Sequence, residues 1–482
     1  VTASTGTTSA PSPSPVREVW ALAWPTVLTM TSYTVMQFID SLMVAQVGPL
    51  EVAAQGNGAI WQFTIVSFLF GILTMVNGFV AQAVGADRPR EVARYAWAGM
   101  WLSLAAWVFV LLPFAFVLPS IFAAMGHEER LVELESRYAA IMLAGGVAAL
   151  LGKAISNFFF GIHRPKLVTV AAIVGNLVNI VLNYALIYGE EGLPRFGLPG
   201  VPGVPAMGVA GAAVATVIGV AVEAAIPLAV FLGRDLDRRY GIRAAWRPEC
   251  GPIRDLLRVG WPNAMQFGNE IVCWALFMSW LVGLFGTLHL TAGWITLRYM
   301  HMSFMPAVGF AVATTSLVGR YVGGGRPDLA AHRARVAVCM ALAYMTVCGI
   351  LLGIFRHELI GFFAWGSGSS PEEAAEVVRI GGWMMICAAV FQTFDAVGIV
   401  YSGALRGAGD TVVPGLLTVG LSWFLIVGLG WLLATRLPEW ESFGPWLAAS
   451  VYIIALGFAM GGRFESARWQ SIQLVARDRG TA

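Results

Sequence analysis

Charge is what this sequence has least of. Asp, Glu, Lys and Arg make up 12% of its 482 residues and hydrophobic residues 57%, against about 25% charged in a soluble globular chain. A fold surrounded by water is excluded. With a mean hydropathy of +0.72, the composition is that of an integral membrane protein whose first partner is the lipid bilayer. No block of Lys and Arg is present of the kind that binds nucleic acid, and the net charge of +2 selects no partner. Cysteine is also scarce. Cys250, Cys273, Cys339, Cys348 and Cys387 show neither CxxC nor zinc spacing and read as free buried thiols. The six histidines have no ligand spacing: HEER (127–130) and HELIG (357–361) lack the second histidine of a zinc protease. There is no GxSxG and no Walker A stretch, so neither a hydrolase nor an ATP-driven pump is indicated. The chain is expected to be no enzyme, to use no cofactor and to draw on an ion gradient for any transport. Its opening, VTASTGTTSAPSPSP, lacks a basic region and an apolar core, and reads as a disordered polar tail over 1–15, not a signal peptide.

What is present is long apolar runs. A helix needs about 20 apolar residues to cross a bilayer. Twelve runs qualify, near 18–46, 53–84, 93–119, 136–162, 167–188 and 206–232, then 256–284, 289–320, 334–356, 374–404, 412–435 and 443–462. If both termini and the loops after even-numbered spans share one side, the other side holds only Arg130, Arg137, Arg195, Arg356, Arg379 and Arg436. Lys153 and Arg298 fall inside spans, and the remainder of the 30 Lys and Arg are on the first side. The positive-inside rule then makes both termini cytoplasmic in a multi-pass protein of the inner or plasma membrane. The mid-chain loop 233–254 is the most basic and reads as a cytoplasmic linker, with Trp246 an interface anchor.

The two halves repeat. Trp24-Pro25 matches Trp261-Pro262; AVGADRPREVARYA (83–96) matches YVGGGRPDLAAHRA (321–334); Arg137 matches Arg379; and HRPK (163–166) falls in the same turn as GAGD (407–410). The offset drifts slowly upward, as duplication of a six-helix unit with small insertions requires. The expected fold class is an all-α integral membrane protein of twelve transmembrane helices in two six-helix lobes. The lobes are expected over 16–232 and 255–462, followed by a cytoplasmic tail over 463–482.

Charged residues inside spans are costly and mark functional sites by default. Six qualify: Asp40, Lys153, Glu223, Glu270, Arg298 and Asp395. Helical spacing puts Asp40 on one face with Tyr33 and Gln37, Glu270 with Asn263 and Gln266, and Asp395 with Gln392 and Ser402. Oxygen-rich faces of this kind suit a hard monovalent cation, or a proton carried on a buried carboxylate. The competing reading is a buried ion pair, Glu270 with Arg298 or Asp40 with Lys153. Glu223, near a helix end without polar neighbours, reads as a snorkelling residue. Asn179 and Asn183 lie four apart on one face and either complete a site with Asp40 or bond between helices. Thr216 follows the small-residue run GVAGAAVAT, which reads first as close helix packing. Met36, Met265 and Trp274 are adaptable apolar candidates for lining a substrate cleft, although such residues also fill ordinary cores.

At FIDSLMVAQVG in span 1, GRYVGGGRPDLA after span 8 and ALRGAGDTVVP after span 10, the chain resembles the multidrug and toxic compound extrusion (MATE) transporters, most closely their NorM branch. The likeness covers 16–462. It implies a Na+- or H+-coupled antiporter that exports organic cationic and amphipathic drugs by alternating access, and a monomer. It also implies that Glu270 and Asp395 bind the coupling cation and that Asp40 is the principal acid of the first lobe. In some relatives that lobe holds sodium through the aspartate, an asparagine and a second aspartate in span 5, and a threonine in span 6. Asp40, Asn179 and Thr216 match; Asn183 stands where the second aspartate would be, which removes one negative charge. A tyrosine one turn before the span 10 aspartate is Phe391 here. The alternative reading is a lipid-linked sugar flippase of the same superfamily; the few basic residues inside the spans argue against it.

Overall fold

The computed structural model describes residues 14–193, 197–364 and 370–475. Most of the expected N-terminal tail, Arg195 and the end of the C-terminal tail lie outside them. Span 1 is Pro15–Ala45. Span 2 is Leu50–Gly85, span 3 Pro89–Ala124, and span 4 the pair Glu129–Ala144 and Gly146–Gly161, bent by 43°. Span 5 is Pro165–Tyr188 and span 6 Gly208–Phe231. Then follow span 7, Cys250–Phe285; span 8, Thr287–Gly323; span 9, Pro327–Ile354; span 10, Pro371–Ala408; span 11, Val412–Arg436; and span 12, Phe443–Glu465. Ten of the twelve are long and apolar enough singly to cross a membrane and the bent pair passes as one; span 1 completes the set.

Several spans start earlier than hydropathy suggests. Spans 3, 9 and 10 begin at Pro89, Pro327 and Pro371, three to seven residues before the expected positions. Hydropathy sees only the apolar part of a helix, whereas helical hydrogen bonding continues through charged turns such as PREVAR. Proline at the first helical position loses nothing, because its missing N–H has no intrahelical acceptor there. Span 10 adds a capping box, with Ser370 and Glu373 each accepting from the other's backbone N–H.

The repeated turns have one geometry, which explains why their sequences match. At the ends of spans 2, 4, 8 and 10, Asp87, His163, Gly325 and Gly409 take positive φ. The next residue's N–H then donates five residues back: Arg88 to Ala83, Arg164 to Phe159, Arg326 to Tyr321 and Asp410 to Leu405, at 2.8–2.9 Å. These are Schellman caps, which satisfy the last helical carbonyls.

The lobes meet on the side of these basic turns. Span 1 packs on span 8, and span 2 on spans 7 and 8. Small residues allow the backbones to touch, as membrane helix packing favours. A Cβ at Gly71 would lie 2.5 Å from Ala264 Cα, one at Gly309 2.7 Å from Val27 N, and one at Gly85 1.9 Å from Arg320 O. Polar contacts seal the same end. The Gln82 amide donates to the Gly407 and Ala408 carbonyls at 3.0 and 3.1 Å, and its oxygen accepts from Leu474 N at 2.9 Å. Glu18 of span 1 accepts from Arg333 and Tyr321, both at 2.6 Å. The His163 ring lies 3.3 Å from Ser316 O and 3.1 Å from the Arg320 guanidinium. Burial, and then the Arg320 charge, push its pKa down to about 4, so this ring joins the lobes in its neutral form.

Candidate functional site

The first lobe gathers the predicted residues of spans 1, 5 and 6 around Asp40. Asp40 is 7% exposed and accepts a hydrogen bond from the Asn183 amide. That amide also donates to Asn179 Oδ1 at 3.3 Å, and the Asn179 amide donates to Thr216 Oγ1 at 3.3 Å. Asn183 is wholly buried, and its Oδ1 has no partner among the described residues. The result is a carboxylate beside an unpaired neutral oxygen, a donor set fit for a small hard cation. Asn183→Ala removes the donor to Asp40 and is expected to cost about 1–3 kcal/mol, read as a lower melting midpoint in detergent. Asn183→Asp should make that midpoint more dependent on added Na+, because the two charges then need a counter-ion.

Tyr33 does not join Asp40. Its hydroxyl donates to Glu223 of span 6, which corrects the snorkelling assignment: Glu223 points into the lobe, half-buried, within the field of Lys153. The seven-residue step from Tyr33 to Asp40 is two helical turns, about 10 Å along the axis, so a shared face is not a shared site. Gln37 is exposed and Met36 half-buried.

The second lobe brings Glu270 and Asp395 within electrostatic reach of one another. Neither ion pair considered from the sequence forms among the described residues. Arg298 stands 5.9 Å over the Phe363 ring and Lys153 5.1 Å over Phe70. The cation that acts on Glu270 is instead Arg406. The apolar run of span 10 ends at 404 in the sequence, which leaves Arg406 in the turn that follows. Span 10 continues to Ala408, so the side chain starts from within the helix, 5.4 Å over Phe267, and donates to Asn263 Oδ1 at 3.0 Å. Charges thus follow one another across the lobes: Glu223, Lys153, Arg406, Glu270, Asp395, each acting on the next.

The polar candidates around these acids divide by partner. Asn263 is 2% exposed and spends both amide hydrogens on span 2, on the Gly71 carbonyl and Thr74 Oγ1; it ties the lobes together. The Gln266 amide donates to Ser402 Oγ at 3.3 Å, and the Gln392 amide to Ser303 Oγ in span 8. Met265 is exposed, and Trp274 packs edge-on against Phe277 at 5.3 Å. Behind Glu270, Asn269 donates to Ser422 Oγ at 2.8 Å and accepts from the Trp423 indole at 2.7 Å, fixing span 7 to the π-helical stretch Ser422–Leu429 of span 11.

With this geometry in view, comparison with known proteins is decisive. The MatE family model matches twice, over residues 25–185 and 269–432. The chain belongs to the MATE family. A "Probable multidrug resistance protein NorM" of Burkholderia pseudomallei is 32% identical over 396 residues, covering 82% of this chain and 80% of the relative. A "Multidrug resistance protein NorM" of Burkholderia vietnamiensis is 30% identical over 445 residues, 92% of each chain. Among solved structures, one described as the outward-facing conformation of a multidrug resistance MATE family transporter superposes with a TM-score of 0.82 at 21% identity, over 94% of this chain and 97% of that one. A superfamily transporter from Pyrococcus furiosus, described as having a binding pocket of reverse polarity, gives 0.83 at 21% identity, over 95% and 96%. The twelve-helix MATE fold and its two lobes are therefore established, and the chain is a membrane transporter, not an enzyme. The two matches of one family model fall on the two halves whose turns repeat.

Proposed function

We propose that this MATE transporter is a cation-coupled antiporter that exports organic cations from the cytoplasm. The observation that carries the reading is the pair Glu270 and Asp395, two carboxylates in one lobe with Arg406 beside the first. An entering Na+ or H+ neutralises charge there and weakens the hold on a cationic substrate. The names of the NorM relatives support multidrug compounds as the substrate class. By the positive-inside rule the basic turns are cytoplasmic, both termini with them, so the end on which the lobes close is the cytoplasmic end and this conformation faces outward. Asp40 with Asn183, Asn179 and Thr216 is the second cation site. We expect a monomer, since each lobe pair contains the whole set of residues.

A ligand shifts a conformational equilibrium only by its difference in affinity between the two states. Ion and drug must therefore favour opposite-facing forms. The test is efflux of a fluorescent cationic dye from proteoliposomes, with a sodium gradient or a pH gradient imposed separately. Dye movement under either gradient upholds antiport and names the ion. No response to either would turn the reading to a flippase of lipid-linked sugars, for which Lys153 and Arg406 would offer the basic groups.

A further inference from the structure

The middle of span 12 carries a tyrosine that neither the motifs nor the site described above has used. Tyr452 is 1% exposed, and its hydroxyl has no hydrogen-bond partner among the described residues. A buried phenol normally finds a partner, so what this one faces is informative. It packs in one apolar cluster with Cys273 and Phe391. Cys273 lies three residues after Glu270 and Phe391 four residues before Asp395, so each shares a helix face with one of the acids. The phenol therefore shares one buried cluster with a helix-face neighbour of each acid, and it lies within the field of Glu270, Cys273 and Asp395. Span 12 is held at this place by contact with span 10: a Cβ at Gly457 would lie 2.7 Å from Phe394 O, beside Asp395, and Tyr401 stacks on Phe464 at 4.6 Å.

We propose that Tyr452 supplies the third oxygen of the coupling site in the second lobe, and that this neutral donor favours a monovalent metal cation such as Na+ over a proton. The proposal rests on the reading of Glu270 and Asp395 as the coupling carboxylates. The chemistry separates the two ions. A proton needs one basic oxygen, which either carboxylate provides. A hard metal cation needs several oxygens around it, more than two carboxylates supply. A phenol oxygen adds a ligand there without adding charge. The nearby thiol of Cys273, which approaches Ser422 Oγ at 3.5 Å, is a poor ligand for such an ion.

Dye efflux from proteoliposomes is measured against external Na+ at fixed pH, and separately under a pH gradient without Na+, for the wild type, Tyr452→Phe and Glu270→Gln. Tyr452→Phe keeps the ring and removes only the oxygen. It is expected to raise the half-saturating Na+ concentration by about tenfold, the size of one lost polar ligand, and to leave any pH-driven rate unchanged. A wild type that ignores Na+ overturns the proposal, as does a Tyr452→Phe variant with wild-type Na+ dependence, or one that loses both drives equally. Glu270→Gln with a full Na+-driven rate would instead overturn the parent reading. A second readout does not depend on transport: the melting midpoint in detergent as NaCl replaces KCl. A bound cation stabilises by mass action, so the Na+-dependent rise should be present in the wild type and reduced in Tyr452→Phe. An equal rise in both contradicts Tyr452 as a ligand.

Discussion

Gradient-driven efflux should fall by roughly 5–150-fold in the double variant Glu270→Gln/Asp395→Asn, the span of coupling free energies between linked sites. Both replacements keep the volume of the side chain and remove its charge, so the protein should still fold and insert. The two acids act on each other and Arg406 acts on Glu270; neutralising both leaves the second lobe neither a place for an incoming cation nor a charge to hold an organic one. Each single variant should lose less, because the remaining carboxylate still takes one ion. The measurement is the initial rate of dye efflux at equal reconstituted protein. Wild-type rates in the double variant would place the coupling elsewhere, with Asp40 the first candidate.

Gly85→Leu should be comparably severe for a different reason. Its Cβ would lie 1.9 Å from the Arg320 carbonyl, and one at the partner Gly323 2.1 Å from the Gln82 carbonyl. Both obstacles are backbone, so no rotamer relieves them. Overpacking of this kind costs about 1–3 kcal/mol or more, and the cost falls on the closed form of the basic side alone. The lobes should then stay open on that side, and alternation should stop. The check is a cysteine at Ser316, probed by an impermeant maleimide applied to the basic side, in a background with Cys250 and Cys339 replaced by serine, because those two thiols are exposed and not buried as the sequence suggested. Ser316 is buried in the closed form and donates to the Phe160 carbonyl at 2.6 Å, so labelling should be slow in the parent and fast with Gly85→Leu. Slow labelling together with normal efflux would show that this contact is not the gate.

How far the sequence revealed these features depends on distance along the chain. The twelve spans follow from local composition, and the repeated turns from local geometry: GADRP, HRPK and GGGRP carry residues that accept positive φ just before an arginine and a proline. The i, i+4 pair of asparagines marked Asn183 as polar in an apolar helix but left its partner open between Asp40 and a bond to another helix; the contact with Asp40 is seen only in the fold. Tyr33 and Glu223 were misjudged because their partnership spans 190 residues; no local pattern reports it. Arg406 was hidden by the glycines that follow it. They mark a helix end correctly, but a long side chain one turn before that end reaches back along the helix to Phe267 and Asn263. Tyr452 gave no signal at all, since a lone tyrosine in an apolar span is ordinary until its hydroxyl is seen without a partner.

In the proposed antiport, ion and organic cation compete for the same carboxylates from opposite-facing forms. The direct test is the affinity of the purified transporter for a cationic dye, titrated with Na+ at fixed pH and with pH at fixed salt. Linkage requires that whichever ion is coupled weakens dye binding, and that the dye weakens ion binding by the same factor, roughly 5–150-fold. The effect should vanish in Glu270→Gln/Asp395→Asn. Dye affinity that is indifferent to both ions, or that rises with the coupled ion, would contradict competition at Glu270 and Asp395.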